Sequence, residues 1–334
     1  MADARYKVLD GWRGISILLV LLGHLFPMGP KAWQLNGAIA ASGMAIFFIL
    51  SGFLITNILL RDQNIVHFLT RRFLRIVPLA WLFIAITLVA SSAASNTYLP
   101  HFLFYVNWPP MAFTQHSGHL WSLCVEMQFY LLIAVLVAVF KKHAFILLPI
   151  LCIAITVNRY INDAPLAINT YYRLDEILAG CILALIYHKS ADTVKNAIAK
   201  LNPLFVFSLL LLSAHNDGGL FAYARPYIAM LLVGCTLFSQ ANTFSQANTF
   251  SQASTWFNNW LKGRFLFYIA SISFALYVIH GGLIETWLTE GDKLEKYLKR
   301  PLFLAVTFAL AHLSTFYFEK YWIDLGKRLT KKSS

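Results

Sequence analysis

Long runs of apolar residues, broken by short polar segments, extend over almost the whole chain. A helix that crosses a bilayer needs about 20 predominantly apolar residues, and ten runs approach or exceed that length. The pattern therefore predicts an all-α, polytopic integral membrane protein with about ten transmembrane helices. The predicted spans are 12–29, 38–60, 78–95, 120–140, 144–161, 174–189, 203–215, 221–239, 264–288 and 301–321.

Composition supports this class of protein. Hydrophobic residues make up 58% of the chain and charged residues 13%, with a mean hydropathy of +0.62. An ordinary soluble domain has roughly 45–50% apolar and about 25% charged residues, so a soluble enzyme, a disordered chain and a disulfide scaffold are excluded. The four cysteines all lie inside apolar runs, which favours small buried hydrophobes over disulfides or metal ligands. They are Cys124, Cys152, Cys181 and Cys235.

The distribution of charge predicts the orientation in the membrane. The net charge of +12 comes from 27 Lys and Arg against 15 Asp and Glu. Most of the basic residues flank apolar runs, as expected of loops facing anionic lipid and cytoplasm rather than nucleic acid. With an even number of spans, placing both termini in the cytoplasm puts most of these cations on the inner side. We therefore expect cytoplasmic termini.

The chain is predicted to form a single transmembrane domain over 1–334, with no appended soluble domain. A polar loop at 238–255 contains the tandem repeat FSQANT, FSQANT, FSQAST. A period of six residues fits neither an α-helix nor a coiled coil. It is interpreted as duplicated coding sequence tolerated in a surface loop, with a protein-binding loop as the alternative.

Two ionisable residues in the first predicted span are candidates for function. Arg13 and His24 are eleven residues apart, so on a helix they share one face to within about 20° and lie about 16 Å apart along the axis. Ionisable groups at membrane depth cost roughly 2.5–3.5 kcal/mol each on insertion scales. The alternative is that Arg13 extends to the headgroups and His24 is a hydrogen-bonded core histidine.

A basic segment follows the second span. Arg71, Arg72 and Arg75 precede Pro78, and Arg71 and Arg75 lie one helical turn apart. Because the guanidinium group donates paired hydrogen bonds, these side chains suit the phosphates of a cytosolic cofactor. Lipid headgroups are the alternative ligand.

Polar residues also recur in two later spans. His119 and Glu126 are seven residues apart at the start of the fourth span, and Tyr277 and His280 are one turn apart in the ninth. We expect His24, His119, Glu126 and His280 to converge in the outer half of the membrane. The sequence thus predicts a polar path across the membrane, with its chemistry near the outer side.

Five segments, in this order, resemble the signatures of the acyltransferase-3 family of membrane acyltransferases. They are LDGWRGISILLVLLGH, FFILSGFLI, RRFLRIVP, GHLWSLCVEMQFYLL and SFALYVIH, between Leu9 and His280. The chain departs from the family pattern at Trp12, where Leu is common, and at Met127, where a second acidic residue often follows Glu126. Many family members also carry an extracytoplasmic esterase-like domain, which we expect to be absent here.

The resemblance implies transfer of an acyl group, usually acetyl, from cytosolic acetyl-CoA or another acyl-CoA. The acceptor would be a hydroxyl of a surface carbohydrate or its lipid-linked precursor, such as an O-antigen or exopolysaccharide, at a bacterial inner membrane. No metal cofactor is implied. By motif, Arg13 and His24 match the pair that the family needs for activity, and the three arginines match its basic motif. Glu126 matches the acid of its WSLxVE motif.

The expected mechanism assigns His24 as the general base that takes the proton of the acceptor hydroxyl. Glu126 or His119 would orient that imidazole or the acceptor, and Arg13 or a tyrosine would stabilise the developing oxyanion. A covalent acyl-histidine remains open. The competing functions are a transporter of a polysaccharide precursor or a proton-coupled carrier, and a non-catalytic binding protein.

Overall fold

A computed structural model describes residues 6–239 and 256–331. These residues form helices and connecting turns, and no β-strand occurs among them. The protein is therefore an all-α polytopic membrane protein, as predicted. The α-helices are α1 (Lys7–Leu25), α2 (Leu35–Arg61), α3 (Ile65–Ala90), α4 (Tyr98–Phe102), α5 (Trp121–Phe140), α6 (Ala144–Ile161), α7 (Thr170–Lys189), α8 (Asp192–Ala199), α9 (Pro203–Ala214), α10 (Arg225–Ser239), α11 (256–261), α12 (Arg264–Ile284), α13 (Lys293–Leu313) and α14 (Lys320–Leu329).

The number of membrane-crossing segments differs from the predicted ten. Among the described residues, seven helical segments are long and apolar enough to cross, or up to eight if the bent pair α8–α9 is one span. One of the seven, Gly118–Ile161, contains both α5 and α6, which the sequence analysis counted separately. The predicted span at 174–189 falls in α7, which carries too many charged residues to be counted among these segments. The predicted span at 203–215 falls in α9, which has only 12 residues. The cytoplasmic location of both termini stays a prediction.

Two compact units make up the chain. The first comprises the described residues of Met1–Arg61, Lys142–Ala167 and Tyr171–Ser271. Within it, α1 packs along α2, and α10 contacts α1, α2 and α9. The Trp12 indole is buried and donates a hydrogen bond of 2.8 Å to the Thr236 hydroxyl, which joins α1 to α10.

The second unit comprises the described residues of Asp62–Lys141, Ile168–Thr170 and Ile272–Ser334. In it, α3 packs against α5 and α14. Asn64 caps α3, because its side-chain oxygen accepts the main-chain N–H of His67 at 3.0 Å. A π-helical stretch, Ser314–Glu319, joins α13 to α14 and also contacts α3.

Most of the predicted loop at 238–255 lies outside the described residues, so the position of the FSQANT repeat stays a prediction. The interpretation of the chain as a single domain likewise stays a prediction.

The close approach of α1 and α2 depends on Gly23. A Cβ atom at this position would lie 2.6 Å from the Asn36 carbonyl oxygen and 2.8 Å from the Ala40 Cβ. We expect Gly23→Ala to lower the free energy of unfolding by about 1–3 kcal/mol, because the helices must separate. Gly37→Ala on α2 is the matched control, since its Cβ would meet no atom within 4 Å. Thermal unfolding in detergent measures both, and equal melting temperatures would contradict the prediction.

Candidate active site

Helix α1 carries Arg13 and His24 in the first unit. Arg13 forms an ion pair of 3.9 Å with Asp10, one turn earlier, and both side chains are partly buried. His24 lies in the last turn of α1, and its side chain is exposed. The catalytic role of His24 stays a prediction, as does the alternative of a hydrogen-bonded core histidine.

The end of α1 beside His24 is held by α2. The Asn36 side-chain amide donates to the carbonyl oxygens of Gly23 and Phe26, at 2.7 and 2.6 Å. Its side-chain oxygen accepts the N–H of Met28 at 3.1 Å. These bonds satisfy carbonyl groups that a helix C-terminus otherwise leaves without partners. The main chain that presents His24 is therefore fixed.

In the second unit, Glu126 lies with two polar neighbours. The buried Tyr130 hydroxyl donates a hydrogen bond of 2.5 Å to the Glu126 carboxylate, one turn away on α5. The Arg72 guanidinium of α3 interacts electrostatically with both side chains. The carboxylate is 5% exposed, so this arrangement explains how a charged group is tolerated there. The structure thus brings Glu126 together with Arg72, a pairing that the sequence analysis did not predict.

The other two arginines of α3 lie one turn apart. Arg71 Nε donates a hydrogen bond of 2.6 Å to the Thr330 hydroxyl, just beyond α14. Arg75 lies one turn further along α3. Arg72 is partly buried, whereas Arg71 and Arg75 are exposed. We call these three side chains the arginine platform.

His119 and His280 lie together in the second unit, as predicted, with ring centroids 5.4 Å apart. His119 Nε2 contacts the Val278 carbonyl oxygen at 3.1 Å, and His280 Nδ1 contacts the Tyr277 carbonyl oxygen at 2.7 Å. Because a carbonyl only accepts, the contacting nitrogen carries the proton in each ring. The neutral rings therefore present an acceptor at Nδ1 of His119 and at Nε2 of His280.

Two features fix His119 in this arrangement. The Tyr277 hydroxyl donates to the His119 carbonyl oxygen, and the Ser122 hydroxyl in turn donates to Tyr277 Oη at 2.5 Å. The His119 ring lies against Gly281, where any Cβ atom would overlap it. A larger residue at Gly281 would displace the imidazole.

The segment before His119 is held by a second buried histidine. His101 Nδ1 donates to the Thr97 carbonyl oxygen at 2.7 Å, and Nε2 accepts the Ser117 hydroxyl at 2.8 Å. Burial lowers the pKa of His101 below its usual value, although the Thr97 carbonyl offsets part of this effect. The neutral imidazole that this pairing requires is therefore favoured at pH 7.

His119, His280 and Tyr277 are grouped within the second unit, with their rings in mutual contact. Arg13 and His24 belong to the first unit, so their predicted convergence with His119, Glu126 and His280 stays a prediction. Among residues 6–239 and 256–331, no group of three or more His, Cys, Asp or Glu side chains is arranged to hold a metal ion.

Sequence reasoning missed a buried ionic cluster in the first unit. Arg159 pairs with Asp175 at 3.3 Å. Glu176 pairs with Arg225 at 2.6 Å and with Arg173 at 3.5 Å. All five residues are at most 3% exposed. The available signal was the presence of acids and arginines at the ends of predicted spans.

Hydrogen bonds to the main chain extend this ionic cluster. Arg159 donates to the carbonyl oxygens of Ala222 and Tyr223, and Arg225 to that of Pro165. The charges therefore hold α6, α7 and α10 to one another and to the connecting segments. We assign the cluster to the architecture of the first unit.

Comparison with known proteins decides the class of this chain. A family model described as an acyltransferase domain, Acyl_transf_3, matches residues 6–320. The chain belongs to this acyltransferase family. The match confirms the resemblance that the five sequence motifs indicated. No solved structure is significantly similar to this acyltransferase.

Relatives of this acyltransferase include bacterial proteins named as O-acetyltransferases. A putative O-acetyltransferase of Staphylococcus aureus is 26% identical over 319 residues, covering 83% of this chain and 50% of the relative. A putative peptidoglycan O-acetyltransferase of Bacillus subtilis is 27% identical over 362 residues, covering 93% and 54%. The peptidoglycan O-acetyltransferase OatA of Listeria monocytogenes is 29% identical over 217 residues, covering 54% and 33%. The acyltransferase thus spans about half the length of the first two relatives, and less of the third.

The ionic cluster generates a prediction for stability. Glu176→Gln removes a carboxylate that pairs with two buried guanidinium groups, so we expect a loss of roughly 3–5 kcal/mol in the free energy of unfolding. Asp192→Asn is the matched control in the same unit, since its 3.6 Å pair with Lys195 leaves the carboxylate 92% exposed. Thermal unfolding in detergent compares the two. A Glu176→Gln protein as stable as the control would contradict the assignment.

The Glu126–Tyr130 bond generates a second prediction. Tyr130→Phe keeps the ring but removes the hydroxyl that donates to a buried carboxylate, so we expect a loss of about 1–3 kcal/mol in stability. Tyr321→Phe on α14 is the control, because that side chain is 64% exposed. Melting temperatures of the purified variants test this, and an unchanged value for Tyr130→Phe would show that the bond contributes nothing.

Proposed function

We propose that this acyltransferase is a membrane O-acetyltransferase of a bacterial inner membrane. It transfers an acetyl group from cytosolic acetyl-CoA to a hydroxyl of a cell-surface carbohydrate or its lipid-linked precursor. The observation that carries the proposal is the placement of Arg72 beside the buried Glu126 and Tyr130 in a chain of the acyltransferase family. The names of the relatives favour a glycan acceptor of the peptidoglycan type over an O-antigen or exopolysaccharide.

The arginine platform suits the phosphates of the donor. A guanidinium group donates two parallel hydrogen bonds to a phosphate, and it keeps its charge at any physiological pH. Arg72 lies close to the buried Glu126 and Tyr130 side chains. Neighbours of this kind restrict a guanidinium group before a ligand binds, which lowers the entropy lost on binding. We therefore assign Glu126 to the donor end rather than to the His24 imidazole.

The chemical step is an exchange of a thioester for an ester. His24 takes the proton of the acceptor hydroxyl as its oxygen attacks the thioester carbonyl. A C–O bond forms, the C–S bond breaks, and the proton passes to the departing sulfur to give free CoA. Arg13 lies on the same face of α1 about 16 Å from His24 along the helix axis, so we assign it to steering the acyl donor towards His24 rather than to the reacting carbonyl.

His119 is proposed to help orient the acceptor hydroxyl, while His24 performs the proton transfer.

Transfer of radiolabel from acetyl-CoA to surface glycan in bacterial membranes tests the proposal. We expect His24→Ala to reduce transfer by about 10²–10⁴-fold, the usual contribution of a general base. His143→Ala is the control, since His143 is an exposed residue of a 3₁₀ turn. Amounts of folded protein are matched by gel filtration.

The outcomes separate the possible functions. Loss of transfer in His24→Ala with normal transfer in His143→Ala supports the assignment of the base. Near-normal transfer in His24→Ala would eliminate it. A wild-type protein that neither binds acetyl-CoA nor transfers the label would instead favour a transporter.

A further inference from the structure

We propose that the exposed face of α14 binds the headgroup of an anionic phospholipid. This face carries an open groove with a volume of about 280 Å³, between side chains of α14 and of the π-helical stretch before it. We call it the α14 groove. The bound lipid is neither the donor nor the acceptor of acyl transfer. The groove is lined by Tyr317, Lys320, Tyr321, Asp324, Leu325 and Arg328.

The groove lies on the side of α14 that faces away from α3. Gly326 packs against α3, because a Cβ atom there would lie 3.4 Å from Leu74 Cδ1. Thr330, one turn later, accepts the hydrogen bond of Arg71. Successive residues of an α-helix differ by about 100°, so Arg328 points about 160° away from Gly326. A ligand of the groove is therefore on the opposite side of α14 from the arginine platform.

The position of the groove along the chain matches the level of the lipid headgroups. The segment 301–318 contains no Asp, Glu, Lys or Arg, and it belongs to a helical segment that is long and apolar enough to cross a membrane. At about 1.5 Å per residue it is roughly 27 Å long, close to the roughly 30 Å thickness of the hydrocarbon core. Lys320 is the first cation after this segment. The groove therefore begins where the hydrocarbon ends and the phosphates lie.

The charges around the groove suit an anionic ligand. Lys320 and Arg328 are both exposed. Ammonium and guanidinium groups bind phosphate through charge-assisted hydrogen bonds. Asp324 also lines the groove, but it pairs with Lys327 at 2.8 Å, which offsets its negative charge. The groove therefore has two cations available for a phosphate.

Two tyrosines indicate that the groove contacts lipid as well as water. Tyr317 is 73% exposed and Tyr321 is 64% exposed. Tyrosine is enriched at membrane–water interfaces, because its ring contacts apolar groups while its hydroxyl reaches the headgroups. The two rings suit the glycerol backbone and upper acyl chains of a lipid whose phosphate lies at Lys320 and Arg328.

A lipid fits this site better than a soluble phosphate compound. Sites for soluble small molecules are usually concave and enclose most of the ligand surface, whereas this groove is open. A phospholipid is held at the surface by its acyl chains, so its headgroup needs only a few cations. Clusters of Lys and Arg beside a transmembrane helix bind anionic lipid in this way.

Native mass spectrometry of the full chain in detergent, titrated with phosphatidylglycerol, tests the proposal. Phosphatidylcholine with the same acyl chains is the zwitterionic comparison, and we expect it to bind more weakly. We expect the double substitution Lys320→Ala/Arg328→Ala to weaken phosphatidylglycerol binding about thirtyfold, equivalent to two cations at about 1 kcal/mol each. Its affinity for phosphatidylcholine is expected to stay near that of the wild type.

Two further variants separate a specific site from general attraction of charge. Lys141→Ala/Lys142→Ala is the matched control, because it removes the same charge from two exposed lysines between α5 and α6. We expect it to bind phosphatidylglycerol as the wild type does. Asp324→Asn removes the acid of the groove and releases Lys327, so we expect tighter binding. Thermal unfolding confirms that each variant is folded.

Three results would overturn the proposal. The first is equal affinity of the wild type for the two lipids. The second is equal weakening of phosphatidylglycerol binding in the groove variant and in the lysine control. The third is displacement of phosphatidylglycerol by CoA or inorganic phosphate, which would assign the groove to a soluble phosphate compound. A preference for phosphatidylglycerol that is lost only in the groove variant supports the lipid site, and none of these measurements depends on acetyl transfer.

Discussion

The cost of placing an ionised side chain inside a membrane-embedded helix bundle governs the polar architecture of this protein. A buried charge without a partner is disfavoured by several kcal/mol, so each one must be paired or hydrogen-bonded. Glu126 with Tyr130, Glu319 with Ser314 and Thr315, and the ionic cluster around Glu176 all meet this requirement. A charged side chain that is buried in the bundle despite this cost therefore indicates a role either in the architecture or in the function of the protein.

The same constraint separates the two kinds of charged group. In the first unit, the arginines and acids of the ionic cluster pair with one another and with main-chain carbonyls. In the second unit, two of the three arginines of the platform are exposed. The first group is assigned to the architecture, whereas exposed guanidinium groups suit an anionic ligand such as the proposed donor phosphates.

Orientation is the common theme of the residues assigned to function. Asn36 fixes the end of α1 that presents His24, and carbonyl groups fix the tautomers of His119 and His280. Arg71 of the platform is held by the Thr330 hydroxyl. An enzyme gains more from groups that are already correctly oriented than from groups that must become ordered in the reaction. The groups that hold these side chains in place are therefore as important to the proposed chemistry as the residues that would contact the substrate.

The amino-acid sequence alone determined the helical class, the membrane environment and the family, because long apolar runs and ordered short motifs are local properties of the chain. It also singled out Arg13, His24, Glu126 and the three arginines, since charges within apolar runs are conspicuous.

Only the tertiary structure decided which groups are partners. Arg71 and Thr330 are 259 residues apart, and no spacing rule connects them. The π-helical stretch that ends at Glu319 contains neither proline nor glycine, so the sequence offered no sign of it. The five charged residues of the ionic cluster lie at the ends of different predicted spans, so nothing in the sequence grouped them. Hydrophobic periodicity identifies which residues are buried, but the partner of a buried charge depends on how distant helices pack. That packing is a property of the whole fold and not of any local segment.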